Sequence, residues 1–407
     1  MDTMVEPTRL SMQADSHPLV RQARAMHPML RSFAERIERE QRFPPELVAQ
    51  LHEAGFYRLV TPRSLGGLQV DPVTYTAIVE TLSEGCGSVG WNIANNNIVK
   101  LVTFGLPDEG VQEIHGQERD VVLAGTAVAG GGEAVPVPGG YRVTGHWTFG
   151  TGCMEASWML GSFRILDNGE PRPGPTGAPG HWRGVFRKSE VQVLPGTWEV
   201  AGLRGTGSFD WTVTDVFVPE HRVMFHAGAP LDNQWSHWPG LTYALPSIAW
   251  LGPHHSSVVT GIARAGIAAL IELASVKVPR GRDTSTLNQS IQVQEAVARA
   301  DAILNAACLW RSACVADIWN TVAAGEQTTL TQRARCRAAA VHAGDAARQA
   351  MDMVYHFAGT TGFKTATRMA ECWRDLHTVG QTGMVAPEWY PIAGRALLGM
   401  DPGPRLR

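Results

Sequence analysis

Apolar positions along this chain follow three different rhythms. Up to about residue 120 they recur every three to four residues: Met29, Phe33 and Ile37 repeat among charges, as do Leu47 and Leu51 after Pro44-Pro45. Gly55 ends that helix, turns follow at Pro62 and Gly66-Gly67, and 72–83 and 89–102 read as further helices. Past residue 120 Gly, Pro and Thr rise and short alternating runs take over. VPVPGGYRVTGHW reads as a hairpin around Gly139-Gly140, and TWEVAGLRGTGSFDWTVTDVFVPEHR carries two strand-like stretches. DNGEPRPGPTGAPG reads as a surface connection. The last zone returns to long helical stripes: VVTGIARAGIAALIELAS, then 290–325, 330–358 and a helix opening at MAECWRDLHTVG. Short joints between four such helices predict an antiparallel bundle. The expected fold is therefore α+β and multidomain: a helical domain over 1–120, an antiparallel, barrel-like β-domain over 121–230, and a four-helix bundle over 231–407.

Composition narrows the function classes. Lys+Arg 35 against Asp+Glu 38 gives a net charge of −3, too even for a nucleic-acid surface. The first twenty residues have mixed charge and no apolar centre, and no apolar run approaches the ~20 residues of a membrane span. A cytoplasmic protein with no membrane or nucleic-acid partner is the expectation. Six cysteines without a C-x-x-C pair read as reduced, buried thiols, and no His/Cys/Asp/Glu spacing suggests a metal site. Thirteen tryptophans lean toward a planar ligand.

Four segments in order carry a family likeness: FPPELVAQLHEAGFYRLVTPRSLGG, WTFGTGCMEASWMLG, GLRGTGSFDWTVTDVFVPEHR and CWRDLHTV. Together they resemble the acyl-CoA dehydrogenase fold over nearly the whole chain. The dehydrogenase pattern places a catalytic Glu eight positions after the Arg-Asp pair, where this chain has Gly383, and LTYALPSIAWLGP supplies no acid either. GSVGWNIANNN instead resembles the two-component, flavin-dependent monooxygenase branch (group D hydroxylase-like). That likeness implies reduced FMN or FAD delivered by a separate NAD(P)H-flavin reductase, O2 held as a C4a-(hydro)peroxyflavin, and a small aromatic or heteroaromatic substrate. It also implies a homotetramer. The alternative is an FAD-dependent acyl-CoA dehydrogenase-like oxidoreductase; a third reading is a flavin-free scaffold.

The resemblance also assigns residues. Trp91 would lie near the flavin ring, with Asn95, Asn96 and Asn97 offering amides to a polar ligand; packing and exposure are the competing readings. Trp147, Thr151 and Gly152 align with positions that approach the ring, Thr151 as a hydrogen-bonding group. Arg280 and Arg282 suit a phosphate, as do Gly359, Thr360 and Thr361. Arg374 and Asp375 read as a structural ion pair. The hydroxylases place a His where this chain has Thr382, which cannot act as a base near neutral pH. His254 or His255, at an expected helix start after Gly252-Pro253, is the candidate replacement.

Overall fold

The computed structural model describes residues 16–116, 118, 120–126, 130–174, 177, 180–226, 237–279 and 285–406. Six helices open the chain: α1 (Pro18–Ala25), α2 (His27–Glu40), α3 (Pro45–Glu53), α4 (Pro72–Gly85), α5 (Gly87–Thr103) and α6 (Asp108–His115). Their ends follow local chemistry. Asp71 accepts the backbone N–H groups of Val73 and Thr74 at 2.9 Å, with Pro72 at the first helical position. α4 and α5 are buried on nearly all sides and carry several buried polar side chains, among them Asn92, Asn96, Asn97 and Lys100.

The middle of the chain forms one sheet. Its strands are β1 (Leu123–Gly125), β2 (Gly132–Val137), β3 (Gly140–Trp147), β4 (Trp158–Asp167), β5 (Glu170–Pro171), β6 (His181–Arg187), β7 (Gln192–Leu194), β8 (Asp210–Pro219) and β9 (Val223–His226). The order along it is β7-β8-β3-β2-β4-β6-β9. This differs from the expected antiparallel domain: β1 and β2 both pair with β4 in parallel, so the sheet is mixed. The β2–β3 hairpin forms around Gly139-Gly140 as the turn signal predicts. Of the two strand-like stretches expected in 197–222, one forms; the other is an irregular segment with a 3-10 turn at Arg204–Thr206.

The C-terminal helices are α7 (Leu241–Ala244), α8 (Ile248–Val276), α9 (Ile291–Ala323), α10 (Leu330–Ala358), α11 (Arg368–Val379) and α12 (Trp389–Leu397), making twelve α-helices among the described residues. A capping box between Thr329 and Gln332 starts α10. α8 is the central rod, packed on α4, α5, α10 and α11. Its 29 residues are long and apolar enough to cross a bilayer, contrary to the expectation of no such run. Of its most apolar window 72% is packed inside the protein, so core burial explains the composition. α4, α8 and α9 are joined by a buried charge cluster. Glu80 takes Arg264 at 2.6 Å and Arg311 at 2.5 Å, with Thr260 donating at 2.8 Å. The two guanidinium groups hold the Glu80 carboxyl down at about 2 against the upward push of burial. All six cysteines are buried and unpaired.

Candidate active site

The turn after β3, the 3-10 turn before β8, and the N-terminal part of α5 converge on a chain of hydroxyls. The Trp91 indole N–H points to Thr151 Oγ1 at 3.3 Å, Thr151 Oγ1 lies 2.8 Å from Ser208 Oγ, and Ser208 Oγ lies 2.8 Å from Thr206 Oγ1. Thr206 donates to the Leu203 carbonyl at 2.9 Å. Both ends are fixed, since an indole N–H only donates and a carbonyl only accepts. Thr206 spends its hydrogen on Leu203, so Ser208 must donate to Thr206, and Thr151 must donate to Ser208. One lone pair of Thr151 takes the Trp91 N–H. Toward anything else Thr151 offers an acceptor and no donor.

Two backbone distortions hold this chain in place. Phe149 (φ 62°) and Leu203 (φ 54°) are in the left-handed region, which costs a non-glycine residue roughly 1–2 kcal/mol. Leu203 is locked on both sides: its N–H donates to Asp375 Oδ1 at 2.6 Å, and its carbonyl takes Trp198 Nε1 at 3.1 Å beside Thr206. Asp375 is buried, and desolvation pushes its carboxyl up to about 7. The expected Arg374–Asp375 pair does not form. Arg374 reaches Glu38 at 2.7 Å, while Asp375 anchors the loop that carries Thr206 and Ser208. Phe149, by contrast, leaves its ring 64% exposed at the tip of the turn carrying Thr151. Gly152 (φ 72°) follows, where an added Cβ would come within 2.6 Å of the Asn92 amide oxygen. Among the described residues that buried amide finds no partner for either its oxygen or its nitrogen.

The histidines stand inside α8, not at its start, because the helix begins at Ile248 and accommodates Pro253 internally. Each Nδ1 lies beside the carbonyl one turn back, His254 on Trp250 at 3.0 Å and His255 on Leu251 at 2.8 Å. The carbonyls require Nδ1–H tautomers, leaving Nε2 as an acceptor. His255 packs edge-on to Trp91 with ring centroids 5.1 Å apart. Burial pushes His255 down to about 4 and His254 well below its ordinary value, so both rings are neutral at pH 7.

The structure thus brings Trp91, Thr151, Gly152 and His255 together, and adds Asn92, Phe149, Thr206 and Ser208, which sequence reasoning missed. The other expected residues go elsewhere. Asn96 is buried and gives its amide N–H to Leu123 O at 2.6 Å, and Asn97 gives its own to Phe56 O at 2.8 Å; the amides tie α5 to neighbouring backbone. Trp147 lies in the sheet core, stacked on Trp211 at 4.3 Å with its N–H on Ser162 O at 2.8 Å. Thr382 precedes a short turn at Gly383–Val385, where its backbone carbonyl accepts the Val385 N–H at 3.2 Å. Arg280 and Arg282 lie outside the described residues. Gly359 and Thr360 are exposed at the far end of α10, where Lys277 donates to Ala358 O at 2.7 Å. From His255 to Lys277 is 22 residues (277 − 255) along α8, about 33 Å at 1.5 Å per residue, so the Gly359–Thr361 turn lies at the opposite end of α8 from the Trp91–Thr151 group.

Comparison with known proteins decides the family. The acyl-CoA dehydrogenase N-terminal and C-terminal domain models match residues 19–108 and 254–386. The chain is 31% identical, over 87% of its length and 91% of the relative's, to the oxygenase subunit HsaA of a flavin-dependent monooxygenase from Rhodococcus jostii (strain RHA1). The chain belongs to the flavin-dependent monooxygenases of the acyl-CoA dehydrogenase fold. It is also 27% identical to an indole-3-acetate monooxygenase from Pseudomonas putida, over 90% of each chain. The crystal structure of 3-HSA hydroxylase from Rhodococcus sp. RHA1 superposes with a TM-score of 0.85 at 27% identity, covering 95% of this chain and 98% of that one. Monooxygenases of this family are flavin-dependent, and the site fits that cofactor: an open aromatic ring on a strained turn, a half-buried indole, and a hydroxyl with its acceptor side free.

Proposed function

We propose that this protein is the oxygenase component of a two-component monooxygenase, receiving reduced FMN or FAD from a separate NAD(P)H-flavin reductase and oxygenating a small aromatic substrate with O2. The observation that carries the choice of reduced flavin is the one-way hydroxyl chain ending at Thr151. A reduced isoalloxazine carries ring N–H donors where the oxidised ring has bare acceptors, so an acceptor-only Thr151 favours the reduced form. When bound, reduced flavin supplies two electrons and activates O2, so that one oxygen atom enters the substrate and the other leaves as water.

The residues of this chain have simpler tasks. Trp91 and Phe149 offer faces to the planar ring, and Thr151, fixed by Ser208 and Thr206, accepts a ring N–H. Neutral His255 and the tightly packed α8 wall keep water out of the neighbourhood. No carboxylate stands in the Trp91–Thr151–His255 group, and neither imidazole is basic enough to remove a phenol proton at pH 7. That favours a substrate whose oxygenation needs no prior deprotonation. The 33 Å between His255 and Lys277 favours a homotetramer, in which another subunit's Gly359–Thr361 end completes each flavin site. A cytoplasmic location suits a partner that spends NAD(P)H.

Anaerobic titration tests this reading. Reduced FMN or FAD is expected to bind at least tenfold more tightly than the same flavin oxidised, and a Thr151→Val variant to lose that preference. Equal affinity for both redox states in the wild type refutes the acceptor argument.

A further inference from the structure

A second feature of the bundle is a buried positive charge that no carboxylate pairs with among the described residues. Arg337, in the first half of α10, is fully buried. Its guanidinium lies 4.0 Å over the Trp389 ring and gives one N–H to Met384 O at 3.2 Å, while its Nε has no acceptor among the described residues. Gly252 on α8 makes room: a Cβ there would come within 3.0 Å of Arg337 Nη1. Burial lowers this arginine only to about 10, so it is cationic at neutral pH. Among the described residues no carboxylate pairs with it. Glu388, an acid on the same cavity wall, is held by Arg405 at 3.0 Å. An unpaired buried charge costs several kcal/mol, and the contact with Trp389 offsets only part of that.

Arg337 lines a cavity of about 220 Å³ together with Leu251, Met384, Trp389 and Arg405. An apolar cavity of about 150 Å³ holds benzene, so this one accommodates a single ring bearing a short acidic arm. The cavity adjoins the Trp91–Thr151 group. Leu251 is one helical turn before His255, which packs on Trp91, and the Arg337 charge is near enough to help lower the His255 imidazole.

We infer that this cavity binds an aromatic carboxylate, its ring against Leu251, Met384 and Trp389 and its carboxylate against the Arg337 guanidinium, and that such an acid is the substrate class. That the acid is substrate rests on the monooxygenase reading; that the cavity takes an aromatic anion does not. A guanidinium matches a carboxylate with two parallel N–H donors, which an amide cannot accept in the same way.

The test is calorimetric titration of the intact protein with phenylacetate and, as the neutral isostere, phenylacetamide. The wild type is expected to bind phenylacetate at least tenfold more tightly. Arg337→Gln should equalise the two, and Arg337→Lys should keep part of the preference. Thermal melts establish that each variant is folded, and the lysine variant decides the matter should the glutamine variant not fold. Equal affinities in the wild type, including no measurable binding of either probe, overturn the inference. So does a preference that survives Arg337→Gln. Titration with reduced flavin separates the two readings: acid selectivity without flavin binding refutes the monooxygenase reading and leaves the anion site standing.

Discussion

Ser208→Ala isolates the polarity of the hydroxyl chain. The substitution removes the acceptor of the Thr151 hydrogen and the donor to Thr206, while Thr206 keeps its bond to Leu203 O. Thr151 then has a free hydrogen and turns it toward any acceptor near the ring. A reduced flavin loses a hydrogen bond worth about 1 kcal/mol, and an oxidised flavin gains one of similar size. The ratio of the two dissociation constants should therefore swing by about 2 kcal/mol, roughly 30-fold, toward the oxidised form. Folding stability should fall by about 1–3 kcal/mol for the unmade buried bonds, measured by urea unfolding without flavin. The assay is a pair of anaerobic flavin titrations, one per redox state, on wild type and variant. A ratio within twofold of the wild type would show that Ser208 does not orient Thr151, and the acceptor argument would fail.

Three further perturbations follow from other parts of the structure. Because burial raises Asp375 to about 7 from 3.8, its contribution is fully present below pH 4 and is lost as pH rises through 7. Asp375→Asn keeps an oxygen for the Leu203 N–H, so its stability relative to wild type should improve steadily from pH 4 to 7 in parallel urea titrations; a constant difference would refute the raised carboxyl. Phe149→Gly relieves the φ 62° strain and uncovers little buried surface, so unfolding free energy should stay within about 1 kcal/mol of wild type while reduced-flavin affinity falls about tenfold. Unchanged flavin affinity there would remove Phe149 from the site. Glu80→Gln leaves Arg311 buried with its charge uncompensated, and a loss of about 3–5 kcal/mol in urea unfolding is expected; a loss under 1 kcal/mol would show that the cluster is not coupled to stability.

The helices were legible because their periods and caps are local. The site was legible only in part, because several of its constraints are not. Trp91 and Thr151 came through family likeness. Ser208 and Thr206 lay in a quoted stretch, G-T-G-S, read for its strands and its family likeness, and were not singled out because the hydroxyl order depends on Thr151, 55 or more positions earlier. The three amides at 95–97 were a sign of buried polarity: Asn96 and Asn97 give their N–H groups to backbone carbonyls, while Asn92, one residue after Trp91, finds no partner for either amide atom among the described residues. Phe149 and Leu203 adopt glycine-like backbone angles that no side-chain pattern announces. Gly252-Pro253 looked like a break, but α8 continues through it, moving His254 and His255 from a cap into a buried wall. Arg337 is one of several arginines at the start of α10, and only the crossing of Gly252 above it shows which is buried. The parallel strand pairs were missed because β1 and β2 meet β4 across the hairpin, a long-range choice that alternation alone does not fix.

Reaction with isotopic oxygen tests the central claim most directly. The protein is loaded anaerobically with reduced FMN or FAD and a panel of aromatic substrates including phenylacetate, then mixed with 18O2. Incorporation of one 18O atom into product, with the oxidised flavin spectrum returning more slowly than for free reduced flavin, is the predicted result. Flavin reoxidation at the free-solution rate, with stoichiometric hydrogen peroxide and no labelled product, would contradict it.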